Sequence, residues 1–184
     1  MPLLKPLNPP LLEWRGTTVW LIGASTGIGE ATASALHALG AKVVVSARKA
    51  QALDAFVQAH PGSRALALDV TNAQAVQDAS AQLLAQGPLD CVVYCAGHYH
   101  AMRAFAMDVP DMQRHMEVNY TGALQVLNAV LPAMLARVQA TSAWWAAWLA
   151  SGGYPIVWPT APPKRHSSIW LRRCTLICTI KAWV

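Results

Sequence analysis

The sequence predicts a doubly wound α/β fold, a parallel sheet covered by helices on both faces. Two observations lead there. Short runs that are apolar throughout alternate with longer segments of helical composition, the pattern of repeated β-α-β units. The first of these runs ends in Gly23-Ala-Ser-Thr-Gly27-Ile-Gly29, a glycine-rich turn that leads directly into a helix.

Taken in order, residues 1–16 are an extended, Pro-rich lead-in. Residues 17–22 (T-T-V-W-L-I) form the first strand, and a helix follows over 30–39 with Gly40 as its stop. A second strand is expected over 41–47 and a helix over 51–60, ended by Pro61-Gly62. The third strand spans 64–70, and an Ala/Gln-rich helix over 71–86 closes on Gly87-Pro88. The fourth strand, 89–95, runs into Ala96-Gly97, and one long helix is expected from about Pro110 to Arg137. Right-handed crossovers between these units complete the doubly wound arrangement.

Beyond Arg137 that grammar stops. Residues 138–184 show neither helical period nor strand alternation. The chain of 184 residues carries a net charge of +5, and all of it resides there. Residues 1–137 balance nine basic against nine acidic side chains, whereas 138–184 hold Lys164, Arg165, Arg172, Arg173 and Lys181 with no acid. Six of the eight Trp lie in the same stretch.

With 54% hydrophobic and 12% charged residues, a disordered chain is excluded and one sizeable core is within reach. The four cysteines show no ligand spacing, so no metal is expected. The N-terminus lacks the apolar core of a secretory signal, which makes a reducing cytoplasm the expected location. The uncharged stretch 138–163 contains Gly152, Gly153, Pro155, Pro159 and Pro162, a poor composition for a spanning helix. Neither a membrane nor a nucleic acid is expected as partner.

The glycine turn has a physical logic. Gly23 permits the sharp exit from the strand, Gly27 lets bare backbone approach a pyrophosphate, and Gly29 lets the helix pack close to the sheet. The positive end of the helix dipole then faces the phosphates, with Ser25 and Thr26 as hydroxyl donors and Ile28 beside them. The spacing G-x-x-x-G-x-G resembles the short-chain dehydrogenase/reductase family. Further matches follow in order: Leu68-Asp69-Val70 at the end of strand three, Ala96-Gly97 within Tyr94-Cys95-Ala96-Gly97, and Val118-Asn119-Tyr120-Thr121-Gly122. Tyr94 and Cys95 depart from the family's N-N-A-G.

The resemblance covers residues 17–137 and implies a Rossmann-like cofactor-binding domain. It implies that Asp69 touches the adenine with Val70 beside it, that Ala96 and Gly97 border the cofactor, and that Asn119 is the matched catalytic residue. Read without the family, Asp69 can equally cap the helix that follows it. Ala96-Gly97 can be a plain strand-ending turn, and Asn119 a solvated helix residue. An acid at the end of strand two would accept from a ribose 2′-hydroxyl, but the chain has Ser46-Ala47-Arg48-Lys49. Arg48 suits a 2′-phosphate, so NADP is favoured and NAD is the alternative.

Family chemistry moves a hydride between the nicotinamide and a carbonyl or alcohol carbon of a small-molecule substrate. It needs a Tyr as general acid/base, a Lys four residues later and a Ser upstream. No Y-x-x-x-K follows Asn119: Trp158 stands four places after Tyr154, and Leu124 four after Tyr120. A shifted reading frame accounts for this. Joining the third base of each codon to the first two of the next allows 157–164 to encode L-A-Y-G-P-T-K and 145–150 to encode G-S-V-A-G. Ser, Tyr and Lys then recur at the family's spacing, which places the break near residues 137–139. The basic, Trp-rich tail is then an off-frame product, and the chain as written is inactive and lacks much of the interface through which intact relatives form homo-oligomers. The alternative is a non-catalytic nucleotide-binding or interaction module with a genuine basic tail.

Overall fold

A computed structural model describes residues 13–137; the predicted lead-in up to residue 12 and the tail 138–184, with its reading-frame assignment, lie outside them. Four parallel strands, β1 (Thr18–Ile22), β2 (Lys42–Ala47), β3 (Arg64–Ala67) and β4 (Cys91–Tyr94), stand in the order β3-β2-β1-β4. They are apolar because both faces are covered. Val19 and Leu21 of β1 pair with Val43 and Val45 of β2 and face one layer. Trp20 and Ile22 pair with Val92 and Tyr94 of β4 and face the other.

The first layer is built from α1 (Gly27–Ala38) through Ala33 and Leu36, and from α2 (Ala50–Ala59) through Leu53 and Phe56. The second comes from α3 (Ala73–Ala85) through Val76, Ala79 and Leu83, packed on α5 (Gly122–Ala136) through Val126, Val130 and Met134. Inside, Trp20 Nε1 donates to Ser46 Oγ at 2.8 Å, so this buried polar pair is satisfied without water. At the strand-start edge, Asp90 accepts from the Thr18 backbone N–H at 2.8 Å, and Arg137 reaches it at 3.2 Å. The end of α5 is thereby tied to the start of β1.

Three elements differ most from the sequence expectation. β3 ends at Ala67 rather than at residue 70, because Asp69 turns the chain by accepting from Thr71 N at 3.0 Å. The expected single helix over 110–137 is three pieces. α4 (Val109–Met116) is followed by five π-helical residues, Glu117–Thr121, before α5 resumes with Pro132 inside it. α1 also starts earlier than expected, at Gly27, directly on the glycine turn. Among the described residues no helix is long and apolar enough to cross a membrane.

Candidate functional site

The ends of β1, β2 and β4 and the loop leaving β3 open into one cleft of about 540 Å³. It lies at the crevice between β1 and β4 where the winding direction reverses, the usual ligand position in open α/β sheets. Every residue the sequence singled out lines it, from the glycine turn to Arg48, Asp69, Val70, Ala96, Gly97 and Asn119.

The three glycines of the turn are required for different reasons. Gly23 adopts φ +88°, and a Cβ there would lie 2.2 Å from the Ala96 backbone nitrogen. A Cβ on Gly29 would lie 2.2 Å from the Gly23 carbonyl oxygen, so α1 can start this close to the strand only without one. Gly27, at φ +63°, has no atom within 4 Å of its Cβ position and faces the open cleft.

Thr26, the residue before α1, makes no side-chain capping bond. The first-turn N–H groups are thus left without a side-chain cap beside the Ser25 and Thr26 hydroxyls, while Ile28 is half exposed at 50%. The open cradle at Gly27, the uncapped helix start and its dipole fit a diphosphate group.

Across the cleft, Arg48 and Lys49 are exposed, and among the described residues neither forms an ion pair. Asp69 accepts from the Thr71 backbone N–H at 3.0 Å and from its hydroxyl at 2.8 Å. The backbone bond chiefly holds its carboxyl below the usual carboxylate range, aided by the Thr71 hydroxyl and the charges of Arg48 and Arg114 against an opposing push from burial. The cap of α3 is Asn72, which accepts from Ala75 N at 3.0 Å, so helix capping does not account for Asp69. Arg114 also lines the cleft, a position the sequence reading did not anticipate.

Asn119 sits in the π-helical segment and is fully engaged. Its Oδ1 accepts from the His98 N–H at 2.7 Å and its Nδ2 donates to the His98 carbonyl at 2.9 Å. It is not a solvated helix residue; it clamps the chain leaving β4.

The two positions that depart from the family pattern have structural roles. Tyr94 is buried and its hydroxyl donates to the Val118 carbonyl. It fills the space over Gly122, where a Cβ would come within 2.7 Å of the Tyr94 oxygen. Burial holds its phenol far above the ordinary tyrosine range. Burial likewise pushes the Cys95 thiol up to about 11, leaving it protonated and weakly nucleophilic at neutral pH.

The histidines after β4 are better connected than isolated loop residues. His98 Nε2 lies 2.6 Å from Asp111 Oδ1, and His100 and His115 lie 3.6 and 3.5 Å from Asp111 Oδ2. The hydrogen bond with His98, more than the flanking charges, holds the Asp111 carboxyl below its usual range. Burial, with the charge of His98, holds His115 below the usual histidine range. A smaller hollow of about 290 Å³ near Arg137, at the opposite edge of the sheet, is lined mainly by apolar residues and brings no comparable chemistry together.

Strand order, crossovers and a glycine-lined cleft at the strand ends define a Rossmann-like α/β protein. The short chain dehydrogenase family model matches residues 17–142. The chain belongs to that oxidoreductase family, whose members bind NAD(P) and act on small molecules.

It is 32% identical over 149 residues to Dehydrogenase/reductase SDR family member 7B of Bos taurus, covering 70% of this chain and 45% of that protein. A short-chain dehydrogenase from Streptomyces avermitilis superposes with a TM-score of 0.65 at 30% identity, over 71% of this chain and 47% of that one. An actinorhodin polyketide ketoreductase with NADPH superposes at 0.63 and 26% identity, over 66% and 49%. The chain thus spans about half the length of the proteins it resembles.

Proposed function

We propose that the described residues form the NADP-binding part of an oxidoreductase that moves a hydride between NADP(H) and a carbonyl or alcohol. The observation that carries the reading is the convergence of Gly23, Gly27, Gly29, Arg48, Asp69 and Gly97 on one cleft, with Gly27 open to it. The first turn of α1 and the hydroxyls of Ser25 and Thr26 receive the diphosphate. Ile28, Val70, Ala96 and Gly97 flank the dinucleotide, and Asp69 meets the adenine. Arg48, assisted by Lys49, takes the 2′-phosphate, because no acid stands at the end of β2 to accept from a 2′-hydroxyl. When bound, the nicotinamide supplies the hydride.

Asn119 is a positioning residue in this reading. Its two bonds to His98 fix the backbone that borders the nicotinamide side of the cleft. The sequence has no Tyr followed four places on by Lys beyond Asn119, so no group in the usual place moves the proton at the alcohol oxygen. We therefore expect the 184-residue chain to bind NADPH without reducing carbonyls, and its gene to carry a one-base frame change near codons 137–139.

Titration of the full chain with NADPH and NADH, followed by a carbonyl-reduction assay, tests both parts. Absence of NADPH binding would overturn the cofactor reading. Clear turnover would overturn the inactivity, and an intact frame across those codons would overturn its stated cause.

A further inference from the structure

We propose that His98, Asp111 and His115 form a binding site for one divalent transition-metal ion of the zinc class, beside the dinucleotide cleft. The sequence alone gave no reason to expect a metal, because the ligands come from a loop and a helix thirteen residues apart. The fold closes that gap. Asp111 and His115 are four residues apart on α4 and share a face, and the loop after β4 carries His98 to the same point.

One candidate ligand atom from each residue lies within 4.8 Å of the others. In a tetrahedral zinc site with bonds of about 2.0–2.1 Å, neighbouring ligand atoms are about 3.3 Å apart. The separations are 2.6 Å from His98 to Asp111 Oδ1 and 3.5 Å from His115 to Asp111 Oδ2, two different oxygens of the same carboxylate. To hold one ion, the three side chains would close up and exchange their present hydrogen bonds for metal bonds.

One further feature favours a cation over a plain hydrogen-bonded pair. Asp111 Oδ2 is buried and accepts no hydrogen bond among the described residues, an unmet demand that a cation would satisfy. His115 Nε2 accepts from the His100 backbone N–H at 3.0 Å, so this nitrogen carries a lone pair, which an ion would take over from that N–H. The His98 and His115 side chains remain about one quarter exposed, at 26% and 24%, and an ion can enter from solvent. His100, with its Nδ1 3.6 Å from Asp111 Oδ2 and its side chain 63% exposed, is placed to become a fourth ligand.

The bound ion would fasten the loop 98–100 to α4. His98 and Tyr99 line the cleft, so the site would stiffen one of its walls.

The test uses the full 184-residue chain, stripped with a chelator and titrated with Co²⁺ and then Zn²⁺, without nucleotide. One equivalent of Co²⁺ giving the visible bands of tetrahedral cobalt, displaced by Zn²⁺, is expected. Losing even an outer-shell partner of a metal site costs about 10–100-fold in affinity, so Asp111→Asn and His115→Gln should each weaken binding by at least about 100-fold. His60→Gln, at a ring stacked on Phe56 in the other layer, should leave binding unchanged. Circular dichroism of the metal-free variants confirms that they fold. If Asp111→Asn unfolds, His115→Gln alone decides. Absence of stoichiometric binding, or full binding by every folded ligand variant, overturns the site. Neither result depends on whether NADPH binds.

Discussion

Replacing Gly29 by Ala isolates the close approach on which the cleft depends. The position is helical and not left-handed, so backbone strain plays no part. In an ordinary helix this change is favourable by up to about 1 kcal/mol. Here the new Cβ would stand 2.2 Å from the Gly23 carbonyl oxygen and 3.1 Å from Ala24 Cα, both backbone atoms that cannot rotate aside. Carbon contacts are comfortable at about 3.5–4.0 Å, so the start of α1 must retreat by roughly 1 Å. Overpacking of this kind costs about 1–3 kcal/mol.

A 2.2 Å contact with a backbone oxygen belongs in the upper part of that range, about 2–3 kcal/mol, so after the propensity gain a net loss of about 1–2 kcal/mol is expected, or roughly 5- to 30-fold in the folded-to-unfolded ratio. The same retreat moves the helix N-terminus away from the diphosphate position, so NADPH affinity should fall as well. Urea unfolding followed by far-ultraviolet circular dichroism measures the first effect and a binding titration the second. A Gly29→Ala variant as stable as the parent, or more so, would refute the argument that this glycine is needed for contact.

Asn119→Ala removes both bonds to His98 and should lower stability by about 1–3 kcal/mol in thermal or urea unfolding. An unchanged midpoint would show that the clamp is not stabilising. Arg48→Ala should weaken NADPH by roughly 10- to 100-fold, the value of a charge-assisted bond, and NADH far less; equal losses would remove Arg48 from cofactor selection. Asp69 is held below its unfolded value of 3.8, so its contribution to stability is present above that pH and is lost below it, as pH falls through the lower folded-state value. Asp69→Asn should therefore be less stable than the parent near neutrality and converge with it in acid. A difference that persists unchanged at low pH would contradict this.

The strands were legible because a parallel sheet covered on both faces leaves no polar alternation. The apolar runs ending at Ile22, Ala47 and Tyr94 carry that signature directly. The glycine turn was legible because Gly23 and Gly29 answer steric demands that no other residue meets. Asp69 was legible as a cleft residue but not as the end of β3, since the turn it makes with Thr71 depends on two bonds to its own side chain. Asn119 was found through its motif, although its partner is a backbone twenty-one residues away that no local pattern encodes. Arg114 and the Asp111 cluster were invisible for a related reason. Their placement follows from how α4 is joined to α5, and composition around residue 115 reads as one unbroken helix.

That junction bears on which changes in length the chain can accept. Along α5 the buried positions Gly122, Ala123, Val126, Val130 and Met134 form one face, and the π-helical segment that precedes them carries the buried Val118. The π-helical segment absorbs one residue beyond what an ordinary helix would hold. Deleting a residue from Glu117–Thr121 would return the segment to α geometry with both flanking faces still pointing as they do now. The same deletion within α5 would rotate Val130 and Met134 by about 100° away from α3. Deletions of one residue should therefore be tolerated better in this short segment than within α5, because here the chain can lose length without turning its core face.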